Sequence, residues 1–189
     1  DDMAELRAKL AAAKRPVLML GGGTWTPGAV ADITAFAEAN SLPVSCAFRN
    51  QDRFDNYHPQ YIGEIGIGSN PALIARLQET DLLIAVGPRL GEMTTQGYSL
   101  LDIPNPKQPL VHIHPDPEEL GKVYRAELPI NSGMVGFAAA AKAMTPVDSS
   151  AWADSVEEAR QEYLSYIEIE ATVGDLDMAD VLRVLRERL

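Results

Sequence analysis

The sequence predicts a doubly wound α/β domain, in which helices cover both faces of a parallel sheet. Short apolar runs alternate with helical stretches along most of the 189 residues, and such alternation is typical of βαβ units. The clearest run, Asp81 to Val86, is apolar at every position after the first. Strands that are buried on both faces in this way are typical of parallel sheets.

The first predicted unit is a strand, a glycine turn and a helix. We expect a helix from Met3 to Lys14, ended by Arg15-Pro16, and then a strand from Val17 to Leu20. Gly21-Gly22-Gly23 follows at once, and apolar residues recur at helical spacing after Pro27. This order is the first half of a βαβ unit.

The next elements continue the alternation. We expect a strand from Leu42 to Cys46, and we interpret the polar segment 48–68 as a long irregular connection, which in a compact domain tends to be functional. Asn70-Pro71 opens a helix through Leu77, before the strand that ends at Val86.

The last part of the predicted sheet has two strands and a helix. The strands run from Leu110 to Ile113 and from Ala126 to Ile130, and an Ala-rich helix follows from Gly133 to Met144. We therefore place one domain at residues 1–145.

Residues 146–189 differ in character and predict a linker followed by helix. Pro, Asp and Ser open the segment, and its end carries one apolar helical stripe without a Gly or Pro terminator, made of Met178, Val181, Leu182, Leu185 and Leu189. Because the chain also opens without Met, we expect a fragment of a larger protein.

Composition excludes several classes of partner. The formal net charge of −11 disfavours nucleic acid and anionic membranes, which carry the same sign. Cys46 is the single cysteine, so no intrachain disulfide is possible, and this fits a reducing cytoplasm. No segment has the length of a membrane span. We expect a soluble, cytoplasmic protein.

The candidate site lies where the predicted strands end, because ligands of open parallel sheets bind beyond the carboxyl ends of the strands. Those positions are Gly21 to Gly23, Ala47 to Arg49, Gly87 to Arg89, and His114 to Asp116. Consecutive glycines let a phosphate approach the backbone and the free N–H groups of the next helix. The alternative is a tight turn that packs without a ligand.

Two common nucleotide motifs are absent. A G-x-G-x-x-G fingerprint would need glycine where the chain has Thr26, and no acidic residue follows the second strand to hold a ribose. No Walker-type G-x-x-x-x-G-K-[ST] occurs. A generic dehydrogenase and a nucleotide-hydrolysing enzyme are therefore disfavoured. Arg89 still suits a diphosphate, because its planar guanidinium can donate two hydrogen bonds to phosphate oxygens.

The end of the fourth predicted strand carries residue types that can bind a metal ion. His112, His114 and Asp116 form an H-x-H-x-D string whose alternate positions share a face. Pro115 and Pro117 bend the chain between these side chains. We therefore expect no metal site and no complete catalytic set in this chain.

Four blocks together resemble the central domain of thiamine diphosphate-dependent enzymes similar to acetolactate synthase. The blocks are Arg15 to Gly23, Leu42-Pro43-Val44, Asp81 to Arg89, and Val111 to Asp116. The resemblance covers about residues 1–145, and the tail resembles the linker and first helix that lead into the thiamine diphosphate-binding domain. It implies a six-stranded, Rossmann-like sheet of the DHS-like NAD/FAD-binding type.

The resemblance also implies a parent enzyme of three domains, forming a homodimer or homotetramer. Thiamine diphosphate and Mg²⁺ would lie in the flanking domains, which this chain lacks, so carbanion chemistry on 2-keto acids would belong to the parent. The Gly-Asp-Gly marker of the third domain is absent, since Gly174-Asp175-Leu176 does not match it. The middle domain would be non-catalytic.

By the same resemblance, the middle domain would hold FAD in a structural role, or an adenine nucleotide, or nothing. Gly21 to Gly23 would meet the diphosphate or ribitol, Phe48 and Arg49 would line the flavin side, Gly63 would lie beneath it, and Gly87, Pro88 and Arg89 would hold the phosphates. His114 stands where FAD binders have an acid that grips a ribose hydroxyl.

Other departures leave three alternatives open. Gly91 and Met93 replace an acidic and a basic residue after Arg89, and Asn131-Ser132-Gly133 replaces Gly-Asp-Ala. The alternatives are a nucleotide-binding central domain, a free-standing flavin or nucleotide-binding domain, and a vestigial structural module with an empty pocket.

Overall fold

The computed structural model describes residues 2–168 and 177–189 and is built on one sheet of six parallel strands. The strands are β1 (Pro16–Leu20), β2 (Val44–Ala47), β3 (Tyr61–Ile65), β4 (Leu82–Val86), β5 (Leu110–His114) and β6 (Leu128–Asn131). Their order is β3-β2-β1-β4-β5-β6, and every neighbouring pair is parallel. After β3 the chain crosses back and places β4 beside β1, so strands are added in the opposite direction from that point of the sheet.

Helices cover both faces of this sheet. They are α1 (Asp2–Ala12), α2 (Pro27–Ala39), α3 (Pro71–Glu79), α4 (Met134–Ala143), α5 (Ala153–Tyr166) and α6 (Met178–Arg188), with a 3-10 turn at Gln51–Arg53. Leu18 and Leu20 face the core under α1, α2 and α4, whereas Val17 and Met19 face the core under α3. The predicted doubly wound, six-stranded parallel architecture is confirmed.

The prediction of an irregular connection over residues 48–68 is wrong in part, because this segment contains β3. Gly63, at φ +114°, and the half-buried Glu64 interrupt the apolar run that would have marked a strand. The pairing of β3 with β2 also shifts register between Val44 and Ser45. A short strand with glycine and a carboxylate inside it lacks the sequence pattern of a buried strand.

Residues 87–109 join β4 to β5 without a regular helix. Leu90, Leu100 and Leu101 are buried against the same face of the sheet as α3. The segment turns sharply, and Leu90, Gln96 and Tyr98 have positive φ angles. This irregular segment replaces a crossover helix and brings its first residues to the carboxyl end of the sheet.

Residues 146–168 pack against the domain. Trp152 is 2% exposed, and its indole N–H donates to the carbonyl oxygens of Asn40 and Ser41 at 3.1 and 3.0 Å. Arg160 is also buried and donates from Nη1 to two backbone carbonyl oxygens at 3.0 and 2.9 Å. The predicted domain boundary at residue 145 stays a prediction.

The predicted apolar stripe of the final helix lies on α6 and is mostly exposed. Met178, Leu182, Leu185 and Leu189 are exposed, and Val181 is half-buried. The Gly174-Asp175-Leu176 stretch lies outside the described residues. None of the helices in the described part of the chain is both long and apolar enough to cross a membrane.

Candidate functional site

A cleft of about 530 Å³ opens at the carboxyl ends of β1, β4 and β5. It lies at the point where the strand order reverses, between β1 and β4. In doubly wound sheets this switch point is where loops on the two sides diverge and leave room for a ligand. The cleft is lined by Gly22, Gly23, Thr24, Ala47, Asn50, Gly87, Pro88, Arg89, Thr94, His114, Pro115 and Asp116.

Glycines form the floor of the cleft because the turns after β1 and β4 touch. Gly22 has φ +72°, and a Cβ there would lie 2.1 Å from the carbonyl oxygen of Gly87. Gly87 has φ +92°, and its Cβ would lie 2.3 Å from the carbonyl oxygen of Gly21. The Gly21 N–H donates to the Val86 carbonyl at 2.9 Å. Any side chain at these positions would separate the two turns.

Gly23 differs from its two neighbours. It is exposed on the cleft wall, and a Cβ built there would meet no atom within 4 Å. Glycine is therefore not required there by packing. Its absent side chain leaves backbone open to the cleft.

The N-terminus of α2 offers fewer free backbone N–H groups than the sequence predicts. Thr26 caps the helix by accepting from the Ala29 N–H at 3.1 Å, and Pro27 has no N–H. Among the first three helical residues, only Gly28 keeps an uncommitted amide. The expected row of free N–H groups for a phosphate is reduced to one.

Arg89 supplies positive charge on the cleft wall. Its side chain is exposed and forms no ion pair with the residues that the structure describes. Nearby, Lys122 donates to Glu119 at 2.7 Å and is the main cause that holds the pKa of that carboxyl below its usual value. Arg89 and His114 lower the same pKa further, so both lie near the Glu119 carboxylate.

His112 supports the cleft from below. Its Nε2–H donates to the Pro88 carbonyl at 2.8 Å, so the ring holds the loop that follows β4. Burial lowers the pKa of His112, since an imidazolium ion loses hydration in the interior. His112 is therefore a neutral structural donor and not a solvent-accessible ligand.

His114 lies at the end of β5 and is 7% exposed. Its Nδ1 is 3.1 Å from both the backbone N and the backbone O of Asp116. Asn131 donates from Nδ2 to the His114 carbonyl at 3.0 Å and so fixes the strand end. Among the described residues, no three His, Cys, Asp or Glu side chains cluster as metal ligands.

Phe48 and Arg49 flank the cleft between two lining residues, Ala47 and Asn50. Arg49 has φ +59°, and its N–H donates to Glu64 Oε1 at 2.9 Å. Its guanidinium lies 5.1 Å from the centre of the Phe48 ring. The structure thus places both residues beside the cleft, with their side chains stacked on each other.

Gly63 is not brought together with the other predicted residues. It lies in β3 against α5, where a Cβ would be 3.1 Å from Tyr163 Cδ2. It lines a separate cavity of about 240 Å³ with Tyr61 and Tyr166. Its predicted role beneath a cofactor stays a prediction.

Most of the residues predicted to bind a cofactor line the cleft or lie beside it, and their role in binding stays a prediction. Gly22, Gly23, Gly87, Pro88, Arg89 and His114 line it, and Gly21 lies directly beneath. Sequence reasoning missed Thr24, Asn50 and Thr94. Thr24 and Asn50 adjoin predicted residues, whereas Thr94 comes from the irregular segment after β4 and has no motif around it.

Comparison with known proteins finds a matching family model. A family model described as "Thiamine pyrophosphate enzyme, central domain" matches residues 3–141. The match includes all six strands, the helices α2 and α3, and most of α1 and α4.

Several curated relatives are similar to the chain. An acetolactate synthase from Mycobacterium avium is 38% identical over 125 residues, which are 66% of this chain and 20% of that protein. The acetolactate synthase isozyme 2 large subunit of Escherichia coli K12 is 27% identical over 162 residues, 86% of this chain and 29% of that protein. A probable acetolactate synthase large subunit from Methanocaldococcus jannaschii is 32% identical over 121 residues, 64% of this chain and 20% of that protein. The chain spans less than a third of their length.

Proposed function

The chain belongs to the family of thiamine pyrophosphate enzyme central domains, and from this premise we propose that it binds a nucleotide without itself catalysing a reaction. Its parent would be an acetolactate synthase-like enzyme that makes or breaks C–C bonds of 2-keto acids. The nucleotide would be FAD in a structural role, or an adenine nucleotide.

The remaining parts of the proposal concern the parent enzyme. Thiamine diphosphate and Mg²⁺ would be held by the flanking domains, because the chain matches only 20% of the first relative's length. The flanking domains would be partners within the same polypeptide, in a homodimer or homotetramer. The free buried thiol of Cys46 fits a cytoplasmic location.

The contact between the Gly22 and Gly87 turns is the observation that carries the proposal. It brings the turns after β1 and β4 together as the floor of the cleft. On the wall of the cleft, Gly23 leaves backbone exposed. A diphosphate could lie against the exposed backbone of Gly23, with Arg89 supplying charge. The cleft volume of about 530 Å³ is within the range of small-molecule sites, roughly 300–1,000 Å³.

A pair of glycine substitutions tests the proposal by calorimetry with FAD and with ADP. Gly23→Leu places a side chain in the cleft where no protein atom is in the way. We expect the wild-type chain to bind one of the two ligands, and Gly23→Leu to weaken that binding at least tenfold. Gly136→Leu is the control, because Gly136 is exposed on α4 and does not line the cleft.

The self-capped N-terminus of α2 favours one alternative, a vestigial module with an empty pocket. Under this alternative, neither ligand gives heat, and heat-denatured protein releases no flavin or adenine nucleotide. Equal binding by the wild type and Gly23→Leu would also contradict the proposed site. Redox-active flavin in the isolated chain would instead support a free-standing flavin domain.

A further inference from the structure

We infer that the His114 end of the cleft recognises a phosphate group on the ribose of the bound nucleotide, in preference to a free ribose hydroxyl. The inference rests on the proposed nucleotide-binding function and adds the class of nucleotide. The structural basis is the juxtaposition of a fixed imidazole donor, His114, and an uncommitted guanidinium, Arg89, on the walls of one cleft.

The backbone of Asp116 fixes which nitrogen of His114 faces the cleft. When Nδ1 accepts the Asp116 N–H at 3.1 Å, the proton of the neutral ring lies on Nε2. When Nδ1–H donates to the Asp116 carbonyl oxygen, also at 3.1 Å, Nε2 carries a proton in the imidazolium and a lone pair in the neutral ring. Nε2 therefore donates to a phosphate oxygen from the imidazolium and from the neutral tautomer that has its proton on Nε2. Within the described part of the chain, Nε2 has no hydrogen-bond partner of its own.

The charged groups around His114 include one cation that is free to meet a bound anion. Glu119 is already neutralised by Lys122 at 2.7 Å. Asp116 Oδ1 accepts the Glu118 N–H at 3.0 Å and so is engaged in its own turn. His112 is neutral and engaged with Pro88. Arg89 and Asp116 are the two charged residues of the cleft lining that have no ion pair among the described residues, and Arg89 is the cation available to a bound anion.

A phosphate matches these groups better than a hydroxyl does. Phosphate oxygens accept hydrogen bonds and carry charge, and hydrogen bonds to charged acceptors are roughly twice as strong as neutral ones. A ribose hydroxyl could accept from Nε2 but would leave the Arg89 charge unmatched. In dinucleotide-binding folds, an acid that accepts from the ribose hydroxyl selects the unphosphorylated nucleotide, and a cation accommodates the 2′-phosphate. Arg89 supplies the cation of the second pattern and His114 a further donor, while the Asp116 carboxylate accepts the Glu118 N–H in its own turn.

Two matched ligand pairs test the inference by calorimetry on the 189-residue chain. NADP⁺ and NAD⁺ differ by a 2′-phosphate, and coenzyme A and dephospho-coenzyme A differ by a 3′-phosphate. We expect the phosphorylated member of at least one pair to bind ten or more times as tightly as its partner. ADP and FAD are titrated in parallel to report on the cleft itself.

The variant His114→Asn tests whether His114 causes the preference for a ribose phosphate. The amide oxygen of asparagine can still accept the Asp116 N–H, but the cleft-facing Nε2 is lost. We expect the ribose-phosphate preference to fall to less than threefold, while the unphosphorylated member binds as before. His58→Asn is the control, since His58 pairs with Glu38 outside the cleft.

The outcomes separate this inference from the proposed function. Binding of ADP or FAD with no preference within either pair overturns the inference and leaves the nucleotide cleft intact. A preference that survives His114→Asn also overturns it, because another residue then reads the phosphate. Absence of binding by all six ligands overturns both proposals.

Discussion

Gly22 and Gly87 approach so closely that a Cβ on Gly22 would lie 2.1 Å from the carbonyl oxygen of Gly87. The two residues lie in the turns that follow neighbouring strands, β1 and β4, and both have positive φ. Their contact joins the two halves of the sheet at the switch point and shapes the floor of the cleft.

Substitution of this glycine should destabilise the fold. Gly22→Ala adds a methyl group against backbone in a left-handed conformation, and we expect a loss of about 2 kcal/mol or more in the free energy of unfolding. Urea denaturation measures it. Gly97→Ala is the matched control, since Gly97 has φ +67° with no atom within 4 Å; its cost should be about 1 kcal/mol. Equal losses would show that contact with Gly87 is unimportant.

Trp152 should stabilise the domain from beyond its predicted boundary. Because it is 2% exposed and hydrogen-bonded to two backbone carbonyls, Trp152→Ala should cost about 3 to 5 kcal/mol. Leu164→Ala, at an exposed position of α5, the helix that follows Trp152, should change stability by less than about 0.5 kcal/mol. Similar small effects of both changes in thermal or urea unfolding would mean that α5 does not pack as described.

How far sequence reasoning reached depends on the local pattern. β1 and β4 were predictable because their runs are apolar at successive positions, which matches burial on both faces. β3 was missed because Gly63 and Glu64 break that pattern, and because its covering helix, α5, is distant in sequence. Its burial is a tertiary effect that no local window contains.

The residues of the cleft also divide into those that local sequence predicts and those that depend on tertiary packing. Its glycines were predictable, since turns that pack backbone against backbone leave no room for Cβ atoms. Thr94 was not predictable, because the irregular segment after β4 is shaped by packing of Leu90 and Leu100 against the sheet. The engagement of α2's N-terminus by its own Thr26 cap also depends on side-chain geometry.

Cys46 should be unreactive in the native protein. Burial is the main cause that raises the pKa of this thiol to about 12, and Glu64 and Asp52 raise it further. Thiolate is the reactive species, so a disulfide reagent at pH 8 should modify no thiol in the native state and one thiol in denaturant. Rapid modification of the native chain would contradict the burial of β2.

Acidification should destabilise the fold through His112. Its pKa in the folded state is below the ordinary value of 6.5 because of burial, so the unfolded chain binds a proton that the folded chain does not. The contribution of neutral His112 to the free energy of unfolding is present above pH 6.5 and is lost as the pH falls below that value. Urea titrations between pH 7.5 and 5.5 should show falling stability, with a shallower slope for His112→Asn than for His58→Asn. An unchanged slope would show that His112 is not responsible.

The most direct test of the nucleotide cleft is amide chemical-shift mapping by NMR during titration with ADP or FAD. The account predicts that the largest changes fall on Gly22, Gly23, Gly87 and Arg89, which border the cleft. Changes centred on Gly63 and Tyr163, at the separate cavity beside α5, or no changes at all, would contradict it.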